Sequence, residues 1–307
     1  MAHIYTIGEI VYDLIFKENQ PVSGTAGGAM LNTSVTLARL GLPVSFISET
    51  GRDKIGEIVL TFLQQNQISI RLIRQEKNCK TALALAFLDQ TSNAQYDFYK
   101  QYPESDFIIP SPKFSPGDFF LFGSFFALTP RYIPILRILT SGARKAGSIV
   151  FYDPNFRKAH LDELERLKPV IMENIRSADI IRGSDEDFRC IFGKGDPEEV
   201  WNVIDDPGKV LIYTANQRGV TLITERLRKS YPVHNITPVS TIGAGDNFNA
   251  GIIYSLFHNR ISHKEILQMD IKVWDDIINY GINFGTLACL TMENYLTKQE
   301  VDNFSTQ

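Results

Sequence analysis

Residues 240–251 read "STIGAGDNFNAG", Ser240 through Gly251. Three small residues, Gly243, Ala244 and Gly245, stand directly before Asp246, and helical spacing follows through Phe248, Ile252, Leu256 and Phe257. A helix N-terminus presents unpaired N–H groups and about half a positive charge. Residues without bulk there let an anion reach the backbone nitrogens. Two readings fit the stretch taken by itself. Asp246 caps a helix after a glycine turn, or the turn holds an anion with an acid beside it. The nucleotide loop pattern GxxxxGK[ST] is absent.

The chain around this stretch alternates between two periodicities. Short apolar runs such as "HIYTIGE", "PVSFISE", "GDFFLFGS", "SIVFYDPN", "ADIIRG", "KVLIYT" and "GVTLIT" read as strands. Between them "MLNTSVTLARLGL", "GEIVLTFLQQNQI", Arg131–Lys145 and Leu161–Arg176 read as helices, as do Gly245–Asn259 and Val273–Leu290 near the end. In the first helix Leu31, Val35, Ala38 and Leu42 are expected to share one apolar face. Strands alternating with helices predict an α/β fold with a largely parallel sheet. Two segments break the rhythm: "FKENQPVSGT" (Phe16–Thr25) and a strand pair joined by a polar turn over Thr81–Tyr102. They are expected to form a small antiparallel sheet beside the main body.

Composition narrows the function classes. A net charge of -4 lacks the basic footprint of a nucleic-acid binder. Cys79, Cys190 and Cys289 are widely spaced and form no CxxC pair, which argues against zinc and a disulfide framework. The first residues carry Glu9 and Asp13 and no Lys or Arg, unlike a signal peptide. No apolar run reaches the length of a membrane span. A cytoplasmic protein with no nucleic-acid or membrane partner is expected. No GxGxxG follows the first strand, which removes a dinucleotide-binding oxidoreductase.

Four motifs together carry a resemblance. "STIGAGDNFNAG" resembles the DTxGAGDxFxAG signature of the ribokinase (PfkB) family of carbohydrate kinases. "GGAMLNTSVTLARLG" (Gly27–Gly41) resembles the family's GGxxxNxAxxLxRLG signature. "TGRDKIG" (Thr50–Gly56) is similar to its GxDxxG turn, and "FYDPNFR" (Phe151–Arg157) to its DPNxR segment. The motifs fall in family order and span nearly the whole chain. The resemblance implies one three-layer α/β/α domain over 1–307, with a central largely parallel sheet and a small antiparallel β lid over about 15–26 and 80–103. The opening "GEIVYD" and the lid strand "DFYKQY" are closest to fructokinase and 2-keto-3-deoxygluconate kinase members.

The resemblance also implies roles. Asp246 becomes the base that takes the proton from the attacking hydroxyl. The amides of Gly243, Ala244 and Gly245 become the anion hole for the transferring phosphoryl group. Asp13, Gly27, Gly28 and Asn32 would bind the sugar, Lys100 would reach an anionic or ketose substrate or remain a solvated edge charge, and Arg157, also on the substrate side, would face a phosphate or pair with a helix carboxylate. Ser184, Thr214, Asn216, Gly219 and Asn283 fall on the nucleotide side. Asp187 would act on Mg²⁺ through water. ATP and Mg²⁺ are the cofactors implied, and a homodimer through the lid is the partner.

Three motifs depart from the family pattern. Ser240 replaces the aspartate associated with a monovalent cation, so potassium activation is expected to be weak. "SDED" places Ser184 and Asp187 where the family has Asn and Glu. "TANQRG" has Asn216 where the family has glycine, and Asn tolerates a left-handed backbone. The leading reading is an ATP-dependent kinase acting on a primary hydroxyl of a fructose-like sugar. Ribose, 2-keto-3-deoxygluconate and nucleosides are alternative substrates. A sugar- or nucleotide-binding protein with little turnover is the reading from another class.

Overall fold

The computed structural model describes residues 2–88 and 94–305. In chain order the elements are β1 (Ile4–Ile7), β2 (Val11–Lys17), β3 (Gln20–Gly27), α1 (Ala29–Arg39), β4 (Val44–Gly51), α2 (Lys54–Gln65), β5 (Ser69–Glu76), β6 (Ala82–Leu88) and β7 (Ala94–Tyr99). They continue with β8 (Phe119–Gly123), α3 (Ile133–Ala146), β9 (Ile149–Asp153), α4 (Leu164–Ser177), β10 (Ile180–Ser184), α5 (Asp185–Phe192) and α6 (Pro197–Ile204). The last are β11 (Val210–Thr214), β12 (Val220–Ile223), β13 (Arg228–Tyr231), α7 (Ala244–His258), α8 (Ile271–Ala288) and α9 (Lys298–Ser305).

A nine-stranded sheet runs β13-β12-β11-β10-β9-β8-β1-β4-β5. It is parallel from β5 to β11, and β12 and β13 add an antiparallel edge. Strands buried on both faces need unbroken apolar runs, and "FFLFG" in β8 and "IVFYD" in β9 are buried throughout. Their side chains split by the pleat. Phe119, Leu121, Ile149 and Phe151 enter the core that holds Leu31, Leu63, Ile252 and Ile278 of α1, α2, α7 and α8. Phe120, Phe122, Val150 and Tyr152 enter the core that holds Leu139, Ile171, Ile191 and Val200 of α3 to α6. The expected strands and long helices are present. Helix α1 differs from the one-face expectation: Met30 to Ala38 are all buried, because α1 packs against α7 as well as against β1, β4 and β8. Leu42 lies beyond its end.

The small sheet runs β3-β2-β6-β7. Its outer pairings are antiparallel, and the middle pairing of β2 with β6 is parallel. It starts at Val11, earlier than Phe16, because β2 follows β1 almost at once. The polar turn expected between β6 and β7 lies outside the described residues. The chain passes between the two sheets around one cleft, lined by Glu9, Thr50, Glu76, Lys80, Lys100 and Tyr132. Among the described residues no helix is long and apolar enough to cross a membrane.

Helices α7 and α8 touch backbone to backbone. A Cβ on Gly251 would stand 2.4 Å from the Tyr280 carbonyl oxygen and 2.8 Å from the Gly281 Cα. A Cβ on Gly281 would instead meet the tips of the Ile252 and Phe248 side chains at 2.8 and 2.9 Å. Gly251→Ala must push the helices apart and is expected to cost about 1–3 kcal/mol. Gly281→Ala should cost less, because side-chain tips yield and alanine favours the helix. Thermal unfolding of the two variants checks the ranking, and an equal or inverted ranking would contradict this packing.

Candidate active site

The starts of α1 and α7 and the end of β9, which carry Gly28, Gly243 and Asp153, come together at one edge of the sheet, as the Asp246–Asn32 and Asp153–Asn249 contacts show; open α/β sheets bind ligands at such an edge. Helix α7 begins there. Gly243 has φ 77°, and a Cβ on it would lie 2.3 Å from the Asn294 carbonyl oxygen, so only glycine fits this turn. No side chain caps the helix. The Ala244 amide donates to the Thr241 carbonyl at 3.3 Å, and the Asn247 amide to Gly243 at 2.9 Å. Asp246 lies in the first turn and is buried.

Helix α1 faces this turn. It starts after Gly28, whose φ of 129° lets its backbone pass the Glu9 carbonyl, where a Cβ would come within 2.3 Å. Asn32 Nδ2 donates to Asp246 Oδ2 at 2.8 Å, and Thr33 Oγ1 donates to the Asp246 carbonyl at 2.9 Å. The Asn32 Oδ1 is buried and has no hydrogen-bond partner. Burial pushes the Asp246 carboxyl up to about 6. The Asn32 N–H, Arg157 and Arg182 oppose the rise, while Asp153 reinforces it.

Beneath the turn lies a polar cluster that the sequence reading did not single out. Asp153 Oδ2 accepts from Arg182 Nη1 at 3.1 Å and from Asn249 Nδ2 at 2.6 Å. Arg182 Nη2 donates to Thr214 Oγ1 at 2.9 Å. One signal was present in the sequence: an arginine inside the buried strand "IIRGS", which apolar strands do not keep without a partner.

The expected sugar side gathers Asp13, Gly27, Gly28 and Asn32 near this turn. A Cβ on Gly27 would sit 2.2 Å from Asp13 Oδ2, so the glycine makes room for that carboxylate. Burial pushes the Asp13 carboxyl up to about 6, against a 3.4 Å hydrogen bond from Asn294 Nδ2. Asn294 was also missed. Its carbonyl accepts from Asn247 Nδ2 at 3.0 Å, so one residue bridges Asp13 and the first turn of α7. Lys100 does not extend alone toward a ligand. Its Nζ pairs with Glu9 Oε2 at 2.6 Å. Arg157 is exposed just beyond β9, and its charge reaches Asp246.

The expected nucleotide side has local structural roles as well. Ser184 and Asp187 form the capping box of α5. Asp187 Oδ2 accepts from both the amide and the hydroxyl of Ser184 at 2.6 Å. Asp185 pairs with Arg189 and Arg218. Asn216 takes the left-handed backbone with φ 49°, and the Gly219 amide donates to its carbonyl at 3.1 Å. Asn283 Oδ1 lies 3.0 Å from His234 Nε2. Ser240 Oγ accepts from the Ile242 amide at 3.2 Å, closing a short turn. Among the described residues no group of three or more His, Cys, Asp or Glu side chains is placed to hold a metal. A dedicated cage for Mg²⁺ therefore does not fit this site; a cation carried on nucleotide phosphates, mostly hydrated, does not need one.

Comparison with known proteins identifies the family and the fold. The family model "pfkB family carbohydrate kinase" matches residues 1–290. Among curated relatives, fructokinase-2 of Zea mays is 25% identical over 286 residues, covering 86% of this chain and 85% of its own. Probable fructokinase-7 of Arabidopsis thaliana is 27% identical over 269 residues, covering 82% and 78%. Among solved structures, the fructokinase of Vibrio cholerae O395 bound to fructose, ADP and calcium ion superposes with a TM-score of 0.85 at 22% identity, covering 99% of both chains. The aminoimidazole riboside kinase of Salmonella enterica, complexed with aminoimidazole riboside and an ATP analogue, gives 0.81 at 22% identity over 99% of both chains. At these identities the structural likeness establishes the ribokinase-like fold.

The raised proton affinity of Asp246 has a sign that can be measured. The folded chain holds this proton more tightly than the unfolded chain, so the ionised form costs stability. The cost is fully present above about pH 6 and is relieved as pH falls toward the ordinary carboxylate value. Asp246→Asn should therefore raise the unfolding temperature at pH 7.5, by a free energy on the order of 2 kcal/mol. The gain should shrink at pH 5. A gain that ignores pH, or a loss at pH 7.5, would refute the account of this carboxyl.

Proposed function

We propose that this chain, which belongs to the pfkB family of carbohydrate kinases and is an ATP-dependent sugar kinase, phosphorylates a primary hydroxyl of a small ketose, with fructose favoured. The observation that carries the reading is the pairing of Asn32 with Asp246 at an uncapped helix N-terminus. Asn32 spends its Nδ2 on Asp246 and keeps a buried, unpartnered Oδ1. That oxygen suits a sugar hydroxyl, which would bring the nucleophile beside the carboxylate. Asp246 then accepts the hydroxyl proton as the new O–P bond forms. Its proton affinity lies close to working pH, as a general base requires. The first turn of α7 supplies N–H groups and helix-dipole charge to the transferring phosphoryl group. A divalent cation bound to the nucleotide would supply further charge neutralisation. Phosphoryl transfer depends mainly on such positioning and neutralisation.

Asp13 and the backbone at Gly27 and Gly28 would take other hydroxyls. The small sheet serves as a lid that keeps water from the phosphoryl group. The Glu9–Lys100 pair favours a neutral sugar over a sugar acid, since an acid must displace Glu9 to reach the lysine. A riboside is the second reading, favoured by the likeness to the riboside-bound Salmonella enterica kinase.

ADP release with ATP and Mg²⁺ over fructose, ribose, 2-keto-3-deoxygluconate and a nucleoside tests the proposal. Fructose is expected to lead, and no release with any of them would end it. Asp246→Asn should lower kcat on the order of 10²-fold or more; turnover near that of the native chain would remove Asp246 as base. Potassium and choline chloride at equal ionic strength should support similar rates, because Ser240 offers no carboxylate and its hydroxyl closes a turn. Strong potassium activation would contradict this.

A further inference from the structure

An arginine buried in a parallel strand is an expensive group to keep, and a buried ion pair is often no more stabilising than apolar residues of similar volume. Arg182 is such a group. It lies mid-strand in β10 between the buried Ile181 and Gly183. Its Nε has no acceptor, and its guanidinium stands 5.5 Å from the centre of the Phe248 ring. The guanidinium also lies against Gly245: a Cβ there would come within 2.8 Å of Nη1 and 3.1 Å of Nη2. Gly245 is thus small on two accounts, for an anion above the turn and for a cation below it.

The partner of Arg182 reaches the same helix from another side. Asp153 is fully buried at the end of β9. Its Oδ2 takes Arg182 Nη1 and Asn249 Nδ2, and its Oδ1 takes the Asn155 amide at 3.0 Å. Asn249 follows Asp246 by three residues, and Gly245 precedes it by one. One ion pair therefore touches α7 on both sides of Asp246.

We propose that Arg182 and Asp153 are a positioning pair for phosphoryl transfer: they fix the first turn of α7 from below and set the charge that Asp246 faces. The assignment rests on the kinase reading above. The charged groups acting on Asp246 are Asp153, Arg157 and Arg182. Helix α1 faces it with the uncharged Asn32 and Thr33, and the buried residues of α8 are apolar or glycine. Asp187 of α5 is not among the groups acting on Asp246; burial and then Asp153 push its own carboxyl up. Arg182 and Asp153 pull the proton affinity of Asp246 in opposite directions. A purely structural pair has no reason to produce opposed effects on a pH profile.

The experiment measures kcat and KM for fructose against pH in the native chain and in Arg182→Gln, Asp153→Asn and Arg182→Lys. The Asp246 carboxyl is titrated in parallel by ¹³C NMR, which needs no turnover. Arg182→Gln should lower kcat by about 10²-fold, with a smaller change in KM. Its acidic limb should move up by about 1 unit, and that of Asp153→Asn should move down by a similar amount. Arg182→Lys keeps the charge but not the fork of two donors. It should leave the limb in place while kcat falls, and it provides the test if the other two variants do not fold. Limbs that stay fixed or move in one direction, or native kcat in Arg182→Lys, would overturn the proposal. A native chain without sugar-dependent ADP release would overturn the kinase reading and this pair with it. Normal native turnover with variants that track it would overturn the pair alone.

Discussion

A single 2.8 Å hydrogen bond, from Asn32 to Asp246, joins two helices whose sequence positions are 214 residues apart. The rest of the arrangement serves to make that contact possible. The two starts reach the same place by different routes, α1 directly from β3 of the small sheet and α7 through the segment that follows β13. Their first turns meet because both starts are glycine-built: Gly28 passes the Glu9 carbonyl, and Gly243 passes the Asn294 carbonyl. Asn247 and Thr36 add a second rung one turn further in, where Thr36 Oγ1 donates to Asn247 Oδ1 at 2.5 Å. The same Asn247 oxygen accepts from the Leu296 amide, which ties the C-terminal segment to the seam.

The seam holds acids where an apolar core would be cheaper. Asp13 and Asp246 are both pushed up to about 6 by burial, and neither meets a cation in direct contact. Asn32 and Asn294 partner them with amides, which orient a carboxylate without neutralising it. Strain of this kind is stored at functional sites and offset by packing elsewhere. Here the offset is the pair of apolar cores on either face of the sheet, with strands such as β8 and β9 buried along their full length.

Most of the main sheet was legible because parallel strands covered on both sides must be apolar throughout. Strand β5 was not: "SIRLIRQE" is an edge strand in which Arg71, Arg74 and Glu76 interrupt the apolar residues. Helices α5 and α6 were also missed, being eight residues each and too short to show a period. At the site, Gly28, Asn32, Gly243, Gly245 and Asp246 could be singled out because they stand at the fixed spacings of motifs that resemble the family's, and only Gly28 and Gly243 are required by the backbone itself. Asn294, Asp153 and Asn249 could not, since each gains its meaning from residues tens to hundreds of positions away. Lys100 shows the same limit from the other side. Its lone position on a strand said nothing of Glu9, which the crossover from β1 to β2 carries to it.

The small sheet is attached to the large one by four passages of the chain: β1 to β2, β3 to α1, β5 to β6, and β7 to β8. Three of these, through Glu9–Ile10, Cys79–Ala82 and Lys100–Pro103, border one cleft, and the fourth lies beside it, where Gly28 meets the Glu9 carbonyl. A plate fastened by several pins along one border can swing about that border but cannot slide across it. For a lid so attached, rotation about the cleft is the motion the connections leave open. The face carrying Asp13 is tied to the first turn of α7 through Asn294, so the spacing between the two is built into the border of the plate and its fastening.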